Sequence, residues 1–149
     1  MLLIANPAEG TKRLAGDALA KFETELTRVC VELATQIPAD GEGATHLVSI
    51  AVSGADTDSE AQRVARSIAQ SALVKTAITG CDPNWGRIVS AAGYCGVAFD
   101  AKQMSLKLNG FSLFEAGTPI EFDAASVSDS MKQHFETTID LTIGKGAGS

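Results

Sequence analysis

From Asp17 onward the apolar residues fall at Ala18, Leu19, Phe22, Leu26, Val29, Cys30, Leu33, Ala34 and Ile37. Steps of three and four put them on one face of a helix, with Lys21, Glu25, Arg28, Glu32 and Gln36 on the other. Asp17 is the expected N-cap and Pro38 the expected stop. At about 1.5 Å per residue the helix runs roughly 30 Å, the width of a domain. Ahead of it, Leu2-Leu3-Ile4 is an apolar stub that reads as the end of a strand or helix, and Asn6 to Gly16 reads as loop.

The pattern then changes period. Leu47 to Ser53 alternates, with Val48, Ile50 and Val52 on the bulky face and Leu47, Ser49 and Ala51 opposite, so it predicts a largely buried strand ended by Gly54. Thr57-Asp58-Ser59-Glu60 is a capping-box sequence. The helix it opens, with Ala61, Val64, Ala65, Ile68, Ala69 and Leu73 inside, is expected to continue to about Ile78 and stop at Gly80. Asp82-Pro83 reads as the cap and first residue of a shorter helix carrying Ile88, Val89, Ala91 and Ala92 and ending at Gly93.

The remainder is richer in strands. Met104, Leu106 and Leu108 alternate with polar residues, and Asn109-Gly110 separates them from Phe111 to Phe114. Asn-Gly between two alternating runs signals a hairpin, because both central residues of a type I′ turn need positive φ. Pro119 to Phe122 predicts a short edge strand. Ser126 is the expected cap of a helix with Val127, Met131 and Phe135 on its inner side. Thr138 to Ile143 reads as a last strand, and Gly144 to Ser149 as a flexible end. The sum is one α/β (α+β) domain over residues 1–149, with about four helices on a mixed sheet of four or five strands.

Composition narrows the functions. The 149 residues are 45% hydrophobic and 20% charged, the balance of a globular chain. A net charge of -6 argues against a nucleic-acid partner, whose phosphates call for clustered Lys and Arg. No apolar run approaches a membrane span, and Met1 to Ile4 is too short for a signal-peptide core. Three cysteines, Cys30, Cys81 and Cys95, make no CxxC and no metal spacing. An odd number of thiols, two inside apolar patterns, points to buried free thiols in a reducing, cytoplasmic setting.

Two stretches carry candidate chemistry. Asp40-Gly41-Glu42-Gly43-Ala44-Thr45 presents one acid between two glycines, where the backbone can approach a ligand closely. It reads either as a tight turn with a solvated acid or as a ligand loop. Lys75 to Arg87 gathers Lys75, Asp82, Asn84, Arg87 and the only tryptophan, Trp85, around a helix-to-helix corner. Asp82, Pro83 and Trp85 suit a rigid corner, whereas Arg87 and a free helix start suit a carboxylate or other anion. No nucleotide-binding glycine motif is present, and neither His46 nor His134 has a Cys or His at ligand spacing. Cys81, with no histidine near it in sequence, does not read as a catalytic thiol.

These two stretches also carry a resemblance. Asp40 to Thr45, followed by a strand and Ser53-Gly54-Ala55, is similar to the β chain of ornithine acetyltransferase, also called glutamate N-acetyltransferase. So is Ser71-Ala72-Leu73-Val74-Lys75-Thr76-Ala77 running into Gly80-Cys81-Asp82-Pro83-Asn84-Trp85-Gly86-Arg87. Leu2 to Asn6 resembles that family's Leu-Ala-Asn-Gly stretch. The resemblance implies an acyltransferase of arginine biosynthesis, cut from a precursor before a threonine in an Ala-Thr-Met-Leu stretch. That threonine is the nucleophile, moving acetyl from N-acetylornithine to glutamate by a ping-pong route. Bifunctional members also use acetyl-CoA, which makes it a candidate co-substrate; no other cofactor and no metal is implied. Glu42 matches the acid that lines the substrate site, and an oxyanion hole comes from an α chain in an α2β2-type assembly.

The departures are as informative. The 149 residues contain no Ala-Thr-Met-Leu, so the resemblance implies no catalytic nucleophile here. It implies the central and C-terminal part of the β chain, about a third of the precursor, without its last C-terminal stretch. Ala72 stands where proline is expected, and His46 where lysine is expected. The chain then reads as a piece of such an enzyme, catalytically incomplete alone. A non-enzymatic amino-acid-binding or assembly module derived from the same family is the alternative.

Overall fold

The stripe of apolar residues after Asp17 does form one long helix, α1, from Gly16 to Ala39. The computed structural model describes Gly10 and residues 12–149, so the Leu2-Leu3-Ile4 stub lies outside the described residues. The described residues form two compact units, one ending at Ala44 and the other running from Thr45 to Ser149. In the first, the helix starts two residues earlier than expected. Ala15 holds the cap position without a side-chain bond, and Asp17 sits in the first turn. There its charge still faces the positive end of the helix dipole. Pro38 does not stop the helix but lies inside its last turn. It removes only one helical donor, and the chain leaves the helix at Asp40, whose N–H bonds the Gln36 carbonyl at 3.0 Å. No side chain of α1 is buried.

The second unit is a five-stranded mixed sheet in the order β1-β5-β2-β3-β4 with helices over one face. β1 (Leu47–Ser53) runs parallel to β5 (Glu136–Thr142), and Leu47 pairs with Glu136. β2 (Ser105–Leu108) is antiparallel to both β5 and β3 (Phe111–Glu115). Asn109 and Gly110 join β2 to β3 with φ of 48° and 82°, as the hairpin signal requires. β4 is only Thr118–Pro119, shorter than the strand expected there. β1 is an edge strand and not the largely buried one expected: Val52 is buried, Ile50 half-buried and Val48 exposed.

Thr57 caps α2 (Asp58–Gln70), accepting from the Glu60 N–H at 3.3 Å while its hydroxyl donates to the Glu60 carboxylate at 3.3 Å. That helix does not run through to Ile78. Ser71 is extended (φ -66°, ψ 117°), and its Oγ accepts from Val74 N–H to start a second helix, α3 (Ala72–Thr79). The apolar period hides the break, because Ile68, Val74, Ala77 and Ile78 all reach the core. α4 (Trp85–Gly93) buries Ile88, Ala91 and Ala92. α5 (Ala124–Gln133) buries Val127 and Met131. Its cap is Asp123 and not Ser126, whose hydroxyl instead donates to Asp123 at 2.6 Å. Phe135 falls beyond α5 and is exposed, contrary to the expected inner position. These elements close on one core through Ile68, Ile88, Leu106, Leu108, Met131 and Ile139.

The glycine-rich end also departs from expectation. Gly144 to Ser149 is laid along residues 54–58. Gly146 N–H bonds the Gly54 carbonyl at 3.1 Å, Gly148 N–H the Ala55 carbonyl at 2.9 Å, and Ser149 N–H the Asp58 carboxylate at 3.2 Å. A Cβ at Gly144, Gly146 or Gly148 would run into the backbone of Gly54, Ala55 or Thr57. The alternating glycines permit this close approach of two backbones, which composition alone reads as flexibility.

Candidate functional site

Glu42 belongs to the first unit. Asp40 ends α1, and the Ala44 N–H closes a turn onto the Gly41 carbonyl at 2.9 Å. Gly43 takes φ of 73° with nothing close to where a Cβ would stand. Glu42 is exposed at the tip, and among the described residues its carboxylate has no ionic or hydrogen-bonding partner. An acid held out on a turn and left unpaired can meet a cationic group. Beside it the last turns of α1 leave a shallow groove of about 700 Å³ lined by Leu33, Gln36, Ile37, Ala39 and Asp40.

The corner from Lys75 to Arg87 lies in the second unit, and most of its polar groups act within it. Gly80 ends α3, and Cys81 takes the left-handed position after it at φ 50°. Cys81 N–H returns to the Ile78 carbonyl and Asp82 N–H to the Ala77 carbonyl, both at 2.9 Å, a Schellman closure. Asp82 and Pro83 are therefore not cap and first residue of α4. Asn84 is the cap, its Oδ1 accepting from Arg87 N–H at 3.3 Å and its Nδ2 donating to Asp82 at 3.0 Å. The Arg87 guanidinium donates to the Leu73 carbonyl at 3.1 Å and to Thr76 Oγ1 at 3.0 Å. Trp85 packs on Phe114 with ring centroids 5.3 Å apart. Lys75 is exposed on α3 with no ion pair among the described residues. The geometry is that of the rigid corner, with Lys75 and one face of Asp82 open to solvent.

Sequence spacing missed one meeting. His46 comes within 3.7 Å of Cys81 Sγ through its Nε2, although 35 positions separate them. Cys81 therefore does have a histidine beside it, contrary to expectation, and nothing local in the sequence signals the contact. All three cysteines are free and half-buried, less enclosed than expected. The described residues hold no group of three or more His, Cys, Asp or Glu able to bind a metal. None of the described helices is long and apolar enough to cross a membrane.

A helix-covered mixed sheet, an acidic turn and a rigid Asp-Pro-Asn-Trp-Gly-Arg corner define an α/β protein. The chain belongs to the ArgJ family, whose family model matches residues 1–149. It is 48% identical over 141 residues to the arginine biosynthesis bifunctional protein ArgJ of Rhodopirellula baltica, covering 95% of this chain and 34% of that protein. The ArgJ of Thermosynechococcus vestitus is 43% identical over 164 residues, covering 99% of this chain and 39% of that protein. The crystal structure of ArgJ from Bacillus halodurans superposes with a TM-score of 0.88 at 35% identity, covering 93% of this chain and 66% of that one. The chain thus spans between 34% and 39% of the length of these two curated relatives. The family and the mixed α/β fold are as the resemblance implied.

Proposed function

We propose that this chain supplies the substrate-ammonium contact of an acyltransferase that moves acetyl from N-acetylornithine to glutamate in arginine biosynthesis. The observation that carries this reading is Glu42, exposed between two glycines and without a partner among the described residues, in a chain matched along its whole length by the ArgJ family. N-acetylornithine keeps a free side-chain ammonium, and a carboxylate on a Cβ-free pedestal can meet that cation at close range. Lys75 and the open face of Asp82 are the further candidates for contact. Asn84 and Arg87 act chiefly by holding the corner rigid.

The nucleophile is a threonine outside these 149 residues, which contain no Ala-Thr-Met-Leu. In this reading the chain alone is catalytically incomplete. It works with an α chain of the same precursor, in an α2β2-type assembly in the cytoplasm. Acetyl-CoA as a second acetyl donor belongs to the same proposal, in keeping with the name bifunctional carried by the relatives.

The test expresses the chain both alone and within the flanking sequence that its relatives carry, and follows acetyl transfer from N-acetylornithine to glutamate. Transfer only in the longer protein supports the proposal. Glu42→Ala there should raise KM for N-acetylornithine about tenfold or more, in line with the loss of a charge-assisted contact, and leave self-cleavage intact. Unchanged transfer removes Glu42 from the site. No transfer by either protein, with amino-acid binding retained by the chain, supports the non-enzymatic binding module.

A further inference from the structure

We propose that His46 is a positioning residue that pins the chain just after the Glu42 turn. The inference rests on the reading that Glu42 contacts substrate. His46 Nε2 lies 3.2 Å from the carbonyl of Met131, which is 85 positions away. Met131 belongs to the last turn of α5, where carbonyls lack a partner within the helix. A carbonyl can only accept, so the imidazole proton sits on Nε2. Nδ1 then carries the lone pair and accepts from the Thr45 hydroxyl at 3.0 Å. The next residue continues the seam, with Leu47 N–H donating to the Phe135 carbonyl at 2.8 Å. Three successive residues, Thr45 to Leu47, are fastened in this way.

This tautomer also settles what the neighbouring thiol can do. Cys81 Sγ, 3.7 Å from Nε2, faces an N–H and not a lone pair. His46 therefore cannot take the thiol proton, and the pair is not a nucleophile with its base. The sulfur is a weak second acceptor that helps hold the ring.

The turn around Glu42 is closed by the Ala44 N–H on the Gly41 carbonyl, and no atom stands near where a Cβ at Gly43 would lie, so its orientation depends also on what holds its two ends. On one side the turn departs from α1; on the other it departs from Thr45, which His46 holds. Loss of the anchor leaves the carboxylate chemically intact and frees the backbone that presents it.

The first experiment is ¹⁵N NMR of the ring in the 149-residue chain, which should show neutral His46 protonated on Nε2. A proton on Nδ1 overturns the proposal without any variant. His46→Ala should make the Leu47 amide exchange about tenfold faster, the effect of losing one net hydrogen bond. His46→Lys, which keeps a donor for the Met131 carbonyl, should restore slow exchange. Unchanged exchange in a folded His46→Ala chain, or equal loss in both variants, overturns it. In the longer, transfer-competent protein His46→Ala should raise KM for N-acetylornithine several-fold at unchanged kcat, and His46→Lys should reverse this. If the longer protein transfers no acetyl, the functional reading fails, while ring proton and amide exchange still decide the anchor.

Discussion

Arg87 reaches back across the corner to donate to the carbonyl of Leu73, fourteen positions earlier, at 3.1 Å. The bond ties α4 to a carbonyl of α3, and a second bond from the same nitrogen to Thr76 fixes its direction. Arg87→Ala should lower unfolding free energy by about 1–2 kcal/mol, the scale of a hydrogen bond to a charged group on a half-exposed side chain. Urea denaturation with an unchanged slope checks it. Ligand affinity falling much further than stability would instead make Arg87 a ligand contact.

Asp123 provides the pH-dependent element. The Ser126 hydroxyl first, then the Ser126 and Ala125 N–H groups, hold its carboxyl below the ordinary value of about 3.9. A depressed folded value stabilises the fold above the unfolded pKa, and this stabilisation is lost as pH falls through the folded value. Asp123→Ala should therefore unfold more easily than the parent at neutral pH. The gap in Tm should close below about pH 3.9, progressively as the parent carboxyl protonates. A gap that stays constant down to strongly acidic pH would contradict the assignment.

Thr137 is fully buried on β5, and its hydroxyl has no hydrogen-bond partner among the described residues. A buried hydroxyl without a partner costs free energy that an isosteric methyl does not. Thr137→Val should raise stability by about 1 kcal/mol. Thermal unfolding of the two chains side by side tests it; a fall in Tm would show that the hydroxyl is bonded.

Gly146 faces the carbonyl of Ala55 with no room for a Cβ. Gly146→Ala should destabilise by about 1–3 kcal/mol, the cost of overpacking, and release Gly144 to Ser149 to proteases. Lys145→Ala, at an exposed position of the same stretch, should change neither melting nor cleavage. Cleavage at equal rates in the two variants would show that the stretch is not held.

Sequence reading succeeded where the cause is local. The Thr57 cap, the Asn109-Gly110 turn and the amphipathic run of α1 depend on neighbours a few positions away, and each forms, with only the ends of α1 displaced. It failed where two local signals compete. Asp123 and Ser126 are both good capping residues, and only the fold decides that Asp123 takes the cap and Ser126 donates to it. At Ser71 no glycine or proline marks the break, so one apolar period reads through two helices.

The edge position of β1 and the packing of the glycine-rich end were illegible for a different reason. Both are set by pairings between segments far apart, such as Val48 with Thr137. Of the candidate site, the exposed Glu42 turn was readable because two glycines around an acid determine it nearly alone. The His46 contacts with Cys81 and Met131 were not, because no periodicity links positions so far apart.

The glycines at 144, 146 and 148 have a consequence for how this sequence can change. These alternate positions, closed to any side chain, flank Lys145 and Ala147, which are exposed. A one-residue insertion there would exchange the two sets and drive a lysine into the backbone of residues 54–58. Deletions and insertions should thus be purged from a stretch whose composition resembles a spacer, leaving its length more strictly inherited than the identity of its exposed residues.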